Sequence, residues 1–200
     1  TDTLSELRVI HEAMNRDLLE ARKLQQSLVR ERFRRFGTMQ ISLLLQPSGH
    51  IGGDLVGFFP IGGGKVGVYS LDVSGHGITS ALMTARLAGF LSGGSPEQNI
   101  ALVPGTDGYQ GRDPAEVAAH LNRIVLDEMR TESYFTLAYA EIDLATGLAR
   151  LVQAGHPHPA LQRASGTMEY LGRGGLPVGL FSEAAYETVE VRLHPGDRLL

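Results

Sequence analysis

The chain has 200 residues, 42% of them apolar, enough to bury a sizeable core in one domain or one domain plus an appendage. A net charge of −4 carries no basic stripe of the kind that binds nucleic acid, and the absence of cysteine excludes disulfides and thiolate chemistry. No apolar run approaches the roughly 20 residues that span a bilayer, and the Glu- and Arg-rich start does not read as a secretory leader. Composition therefore predicts a cytoplasmic protein with no nucleic-acid or membrane partner.

Residues 4 to about 35 lack Gly and Pro and are rich in Leu, Glu, Arg, Gln and Ala, which predicts one long helix. Alternate spacing of three and four picks out Leu4, Leu7, His11, Met14, Leu18, Ala21, Gln25 and Leu28, and six of these eight are apolar. That is a coiled-coil seam with two polar interruptions. The expectation is a helical linker over 1–35, dimerising in its first half and docked on its own domain in its second.

From Met39 the period changes. Met39–Gln46, Asp54–Pro60 and Lys65–Leu71 read as strands, with Gly62-Gly63-Gly64 as a hairpin turn. Ile78–Leu91 reads as a helix, and Ser92–Gly111, rich in Gly, Ser and Pro, as a loop or flap. Asp113-Pro114-Ala115-Glu116 starts a further helix, with an N-cap Asp and Pro at the first helical position, running to about Arg130. Strands follow at Tyr134–Asp143, Gly147–Ala154, Pro159–Ala164, Thr167–Leu171 and Tyr186–Leu193, and Pro195-Gly196-Asp197 launches another. Runs of strands joined by short turns predict an α+β fold, antiparallel sheet covered by helices. Both ends read as interrupted, so the expectation is part of a longer protein.

Two aspartates stand out. Asp72 follows the buried-strand pattern Val66–Leu71 and opens Asp72-Val73-Ser74-Gly75-His76-Gly77; Asp54 closes Ile51-Gly52-Gly53-Asp54. Carboxylates at strand ends suit Mg²⁺ or Mn²⁺, which take oxygen ligands, and two such ions can activate water and neutralise a phosphoryl group. Glycines beside each, Gly53 and Gly75, would let a phosphate approach closely. Asp before Gly is also an ordinary turn pattern, so spacing alone leaves both readings open.

The motifs, taken in order, resemble the PPM-type (protein phosphatase 2C class) serine/threonine phosphatases, most closely the bacterial branch of the stage II sporulation and stress-response phosphatases. The resemblance rests on Leu24–Leu28, Ile51–Asp54, Leu71–Gly77, Leu121-Asn122-Arg123, Phe135–Ala140, Ala154-Gly155-His156-Pro157, Gly175–Gly179 and Pro195–Leu200. It implies an α-β-β-α sandwich of two antiparallel sheets flanked by helices, with the phosphatase domain over 36–200. It also implies roles: Asp72 as the aspartate bridging two metals, Val73 as a backbone-carbonyl ligand and Asp54 as the first acidic ligand. The implied reaction is single-step hydrolysis of phosphoserine or phosphothreonine, with two Mn²⁺ or Mg²⁺ ions and no phosphoenzyme. Implied partners are a phosphorylated anti-sigma-factor antagonist, an upstream sensor or receiver domain and a second copy of the chain through the N-terminal helix.

The family's remaining metal aspartates belong to a Thr-Asp-Gly segment after the Gly-Asp-Arg-Leu-Leu strand, which this chain does not reach. Thr106-Asp107-Gly108 spells the same letters but follows no apolar strand and reads as coincidence. The expected domain is thus truncated at its C-terminus, and the fragment can be inactive. His156-Pro157-His158 lacks a third nearby ligand and reads as a turn rather than a zinc pair. His76 reads as a capping or packing residue at a helix entrance. A catalytically silent module for partner binding and dimerisation is the alternative to an enzyme.

Overall fold

The computed structural model describes residues 2–46, 51–106, 108–129 and 132–200. In chain order the elements are α1 (Asp2–Gln26), β1 (Phe33–Phe36), β2 (Met39–Ser42), β3 (Asp54–Gly62), β4 (Lys65–Val73) and α2 (Ile78–Phe90). Then come β5 (Leu102–Gly105), β6 (Gly108–Gly111), α3 (Pro114–Arg123), β7 (Phe135–Asp143) and β8 (Leu148–Ala154). The chain ends with β9 (Ala160–Gln162), β10 (Met168–Tyr170), β11 (Val189–Arg192) and β12 (Arg198–Leu199). The strands predicted from period and turn residues all appear.

A five-stranded antiparallel sheet, ordered β11-β8-β7-β4-β3, forms the centre. The period of two in each strand divides its side chains between two cores. Leu55, Phe59, Leu71, Leu137 and Tyr139 face α2 and α3, packing on Met83, Leu87 and Leu121. Val66, Ala140, Ile142 and Leu151 face the other way, onto Leu161 of a three-stranded sheet ordered β10-β9-β12 and onto Leu171 just after β10. The described residues thus supply a helical layer and two stacked sheets.

Two expectations are corrected. The first helix stops at Gln26 rather than near residue 35. Beyond it Phe33–Phe36 pairs in register with Met39–Ser42 around a turn at Gly37, whose φ of 58° no helix tolerates. The Phe36 ring meets Phe58 edge-on at 6.1 Å, and Arg34 lies over both rings. Tertiary aromatic packing overrides the helix propensity of this stretch. The second correction concerns 92–111, which is no unstructured flap: β5 and β6 form a hairpin, fixed by the buried Asn99 and Ala101 and packed beside the Ile61–Gly62 end of β3. That is the end of β3 remote from Asp54. The last turn of the predicted 113–130 helix, Ile124–Met129, is a π-helix, and Arg130 lies outside the described residues.

Along the seam positions of α1 and the residues just after it, exposure falls toward the C-terminal end. Leu4, Leu7 and Met14 are 71%, 57% and 52% exposed, whereas Leu18, Ala21, Gln25 and Leu28 are half-buried and Val29 joins the core.

The small sheet is locked by one turn. Asp197 accepts the His194 amide at 3.0 Å, the Ala164 amide at 3.0 Å and the Arg163 guanidinium at 2.9 Å. Arg163 also binds Glu169 through two N–H groups. The His194 amide first, then the Ala164 amide and Arg163, hold the Asp197 carboxyl down at about 2. A carboxyl with a depressed folded-state value contributes stability above its unfolded value, lost as pH falls through the folded one. Asp197→Asn should therefore lower the melting temperature at pH 7, with the gap to wild type closing as pH approaches about 2, measured by circular dichroism. An equal gap at pH 7 and pH 2 would contradict this account.

Candidate active site

Asp54 opens β3 and Asp72 lies in the penultimate position of β4, and the register makes them direct partners. On its other side Asp72 is paired with Thr136 of β7. Residues directly opposite on antiparallel strands point to the same face. Asp54, Asp72 and Thr136 therefore form a row across three strands, on the face that looks toward the small sheet. Farther along the same face Phe58, Val68, Ala140 and Ile142 fill the space between the sheets, so the two carboxylates occupy its polar end. Asp54 is half-buried and Asp72 exposed.

The backbone around the pair is fixed from several directions. The Gly53 carbonyl accepts the Val73 amide at 3.1 Å, and the buried Thr84 hydroxyl of α2 lies 3.0 Å from the same oxygen. A Cβ at Gly53 would stand 2.3 Å from the Val73 carbonyl oxygen, so only glycine allows the strands to close beside Asp54. Gln25 of α1 binds both the amide and the carbonyl of Gly52. A polar interruption in the helix seam thus grips the residue two before Asp54. Beyond Asp72, Ser74 exchanges two bonds with Tyr134: its amide donates to the Tyr134 carbonyl at 2.8 Å and its hydroxyl accepts the Tyr134 amide at 3.0 Å. Gly75 and Gly77 turn the chain with φ of 84° and 88°, a region closed to most side chains, and α2 starts at once.

Electrostatics agree with the register. Burial first, and the facing Asp72 second, raise the Asp54 carboxyl above its ordinary value, while His156 lowers it. Two like charges opposite one another repel and favour a cation between them. The donor set of carboxylates beside closely approaching glycine backbone fits a hard divalent ion. Among the described residues no group of three or more His, Asp or Glu side chains is placed to hold one. The Val73 carbonyl oxygen lies against Gly53.

Several sequence readings are sorted by the geometry. His76 is exposed, and no side chain caps α2, so the capping role is not realised. Thr106 and Gly108 stand at the β5–β6 turn, remote from the aspartates, and Asp107 lies outside the described residues. His156 and His158 hold no common ion. The His156 Nδ1 lies 2.8 Å from Thr136 Oγ1, whereas His158 Nδ1 lies 2.9 Å from the Leu171 carbonyl. His156 was passed over as a turn residue, yet it comes to the row through Thr136 and acts on Asp54. The signal that could have found it is the run Ala154-Gly155-His156-Pro157 at the end of a strand adjacent to β7.

Comparison with known proteins fits this geometry. The chain matches the family model described as stage II sporulation protein E (SpoIIE) over residues 62–200. It is 31% identical over 189 residues to the phosphoserine phosphatase RsbP of Bacillus subtilis (strain 168). That match covers 92% of this chain and 43% of the relative, so the chain spans less than half of that protein's length. Among solved structures, the SiaA-PP2C domain of Pseudomonas aeruginosa superposes with a TM-score of 0.71 at 18% identity, covering 94% of this chain and 70% of that one. RsbX, solved in complex with magnesium, gives a TM-score of 0.56 at 14% identity, over 79% of this chain and 69% of that one. Those likenesses establish the PP2C fold. With more than half of its length matched by the family model, the chain belongs to the stage II sporulation protein E family.

Proposed function

We propose that this chain is the catalytic domain of a metal-dependent protein serine/threonine phosphatase. The observation that carries the proposal is the cross-strand pairing of Asp54 with Asp72 at the polar end of the space between two sheets. The family supports it, as does the name phosphoserine phosphatase borne by the RsbP relative. Asp54 and Asp72 would hold Mn²⁺ or Mg²⁺, with further ligands outside the described set. Such ions, when bound, supply a Lewis acid that acidifies water and offsets phosphoryl charge. The chain's own part is to keep two carboxylates adjacent despite their repulsion, and to leave glycine backbone where a bulky phosphoprotein must approach. By the resemblance of its motifs, the substrate is a phosphorylated regulatory protein of the anti-sigma-factor antagonist type, in the cytoplasm. The alternative, a catalytically silent module for partner binding and dimerisation, is separated from an enzyme by turnover of a phosphoserine peptide with Mn²⁺.

Regulation fits the same geometry. The exposed Leu4, Leu7 and Met14 are free to pair with a second copy, while Gln25 further along α1 grips Gly52 and Thr84 of α2 holds Gly53. A shift of either helix would move Asp54, so an upstream sensor or receiver domain could act through the linker.

In the full-length protein with Mn²⁺, Asp72→Ala should lower kcat/KM on a phosphoserine peptide by at least roughly a hundredfold. Undiminished turnover would sink the phosphatase reading. Asp54→Asn should abolish Mn²⁺ binding in calorimetry, yet stabilise the metal-free protein at pH 7. Like charges directly opposite destabilise by about 0.2–1 kcal/mol, and solvent screening keeps this half-exposed pair near the lower end. Because the Asp54 carboxyl is raised, the wild-type penalty sets in as pH rises through its titration, so the advantage of Asn disappears in acid. A third expectation concerns the linker. Changing Leu7 and Met14 together to alanine should shift the full-length protein toward monomer in sedimentation and alter its phosphatase rate; an unchanged mass and rate would detach the linker from the site.

A further inference from the structure

The row of Asp54, Asp72 and Thr136 has a fourth member in His156, and its attachment is more elaborate than a turn requires. Thr136 Oγ1 lies 2.8 Å from the ring Nδ1. The His156 carbonyl is taken by the Gln153 amide, and Gln153, only 5% exposed, uses its own oxygen to accept the Gly174 amide at 2.8 Å. Side chain and backbone are thus pinned independently. His158, two residues on, shows the contrast: its ring is spent on the Leu171 carbonyl. Among the described residues the other nitrogen of His156, Nε2, makes no hydrogen bond, and no ion pair joins the ring to Asp54. Thr136 is the direct cross-strand partner of Asp72, so the ring it holds stands beside the carboxylate row with Nε2 uncommitted.

The chemistry of that ligand follows from what the site otherwise lacks. A phosphoryl group brings negative charge to a place already holding two facing carboxylates, so what it lacks from the chain is a hydrogen-bond donor beside them. If the Thr136 hydroxyl donates to Nδ1, the imidazole carries its proton on Nε2 and presents a donor to the site. Building on the phosphatase reading above, we propose that His156, oriented by Thr136, contacts the phosphoryl group of the substrate through Nε2–H. Thr136 is then a positioning residue, acting only through the ring.

The test uses the full-length protein with three variants, His156→Ala, His156→Gln and Thr136→Val. Inorganic phosphate as a product inhibitor and Mn²⁺ binding by calorimetry are followed beside turnover of a phosphoserine peptide. A lost hydrogen bond to a charged group should raise the phosphate inhibition constant roughly tenfold to a hundredfold in His156→Ala, with Mn²⁺ affinity unchanged. His156→Gln, which keeps an amide donor, should recover part of the loss, and Thr136→Val should fall between. Nitrogen-15 spectra of the metal-free wild type should show the Nε2–H tautomer at His156. An Nδ1–H tautomer, an unaltered phosphate constant in His156→Ala, or a tenfold loss of Mn²⁺ affinity there would each overturn the proposal, the last by making the ring a metal ligand. If His156→Ala fails to fold, Thr136→Val and the tautomer decide. An active wild type with indifferent variants refutes this inference alone, whereas a wild type that neither binds Mn²⁺ nor releases phosphate refutes the phosphatase reading with it.

Discussion

The register between β3 and β4 is the constraint on which the rest depends. Once Leu55 faces Leu71 in the helix-side core, with Phe59 facing Gly67 farther along the same pair of strands, Asp54 has to face Asp72. A slip of one residue would turn every buried side chain of β3 to the wrong face, so the register is held by the whole core. Apolar burial across nine residues of each strand thereby enforces a contact that two carboxylates would not choose. The repulsion is small against that burial, and it is what a divalent cation would relieve.

The same region is where the helices take hold. Gln25 binds Gly52 and Thr84 binds Gly53, so two helices grip successive residues immediately before Asp54. Neither contact contributes much to a hydrophobic core. Both would transmit a helix displacement to the carboxylate with no flexible segment in between, because the next residue is already in the sheet. On the proposed reading, these contacts would be the linker's route to the carboxylates.

Much of this was legible in the sequence. Alternating apolar strands, the triple-glycine turn and the Asp113-Pro114 helix start are local signals, and the elements they predict appear with bounds shifted by a few residues. Asp54 and Asp72 could be singled out because each ends or opens a strong pattern beside glycines. What was not legible depended on contacts between distant segments. Phe33–Phe36 is composed like a helix and becomes a strand because Phe36 finds Phe58. Gln25 looked like a flaw in a seam until Gly52 supplied its partner. His156 lies in a Pro-flanked turn, and nothing local tells that its ring reaches Thr136 rather than solvent or, like His158, a neighbouring carbonyl.

The two ends of the central sheet carry charge rows of different composition. At the end remote from Asp54, Glu141 is 2% exposed, yet Lys65 meets it at 2.8 Å. Across the strands Arg150 stands opposite Glu141, and Glu190 opposite Arg150, while Arg150 also binds Asp113 at the cap of α3. Charges of alternating sign run from strand to strand, the arrangement that stabilises a sheet. At the site end the corresponding row reads Asp54, Asp72, Thr136, with no Lys or Arg bound to either aspartate among the described residues. On the proposed reading, an uncompensated pair held by the register of the core is where a bound divalent ion would supply the missing positive charge.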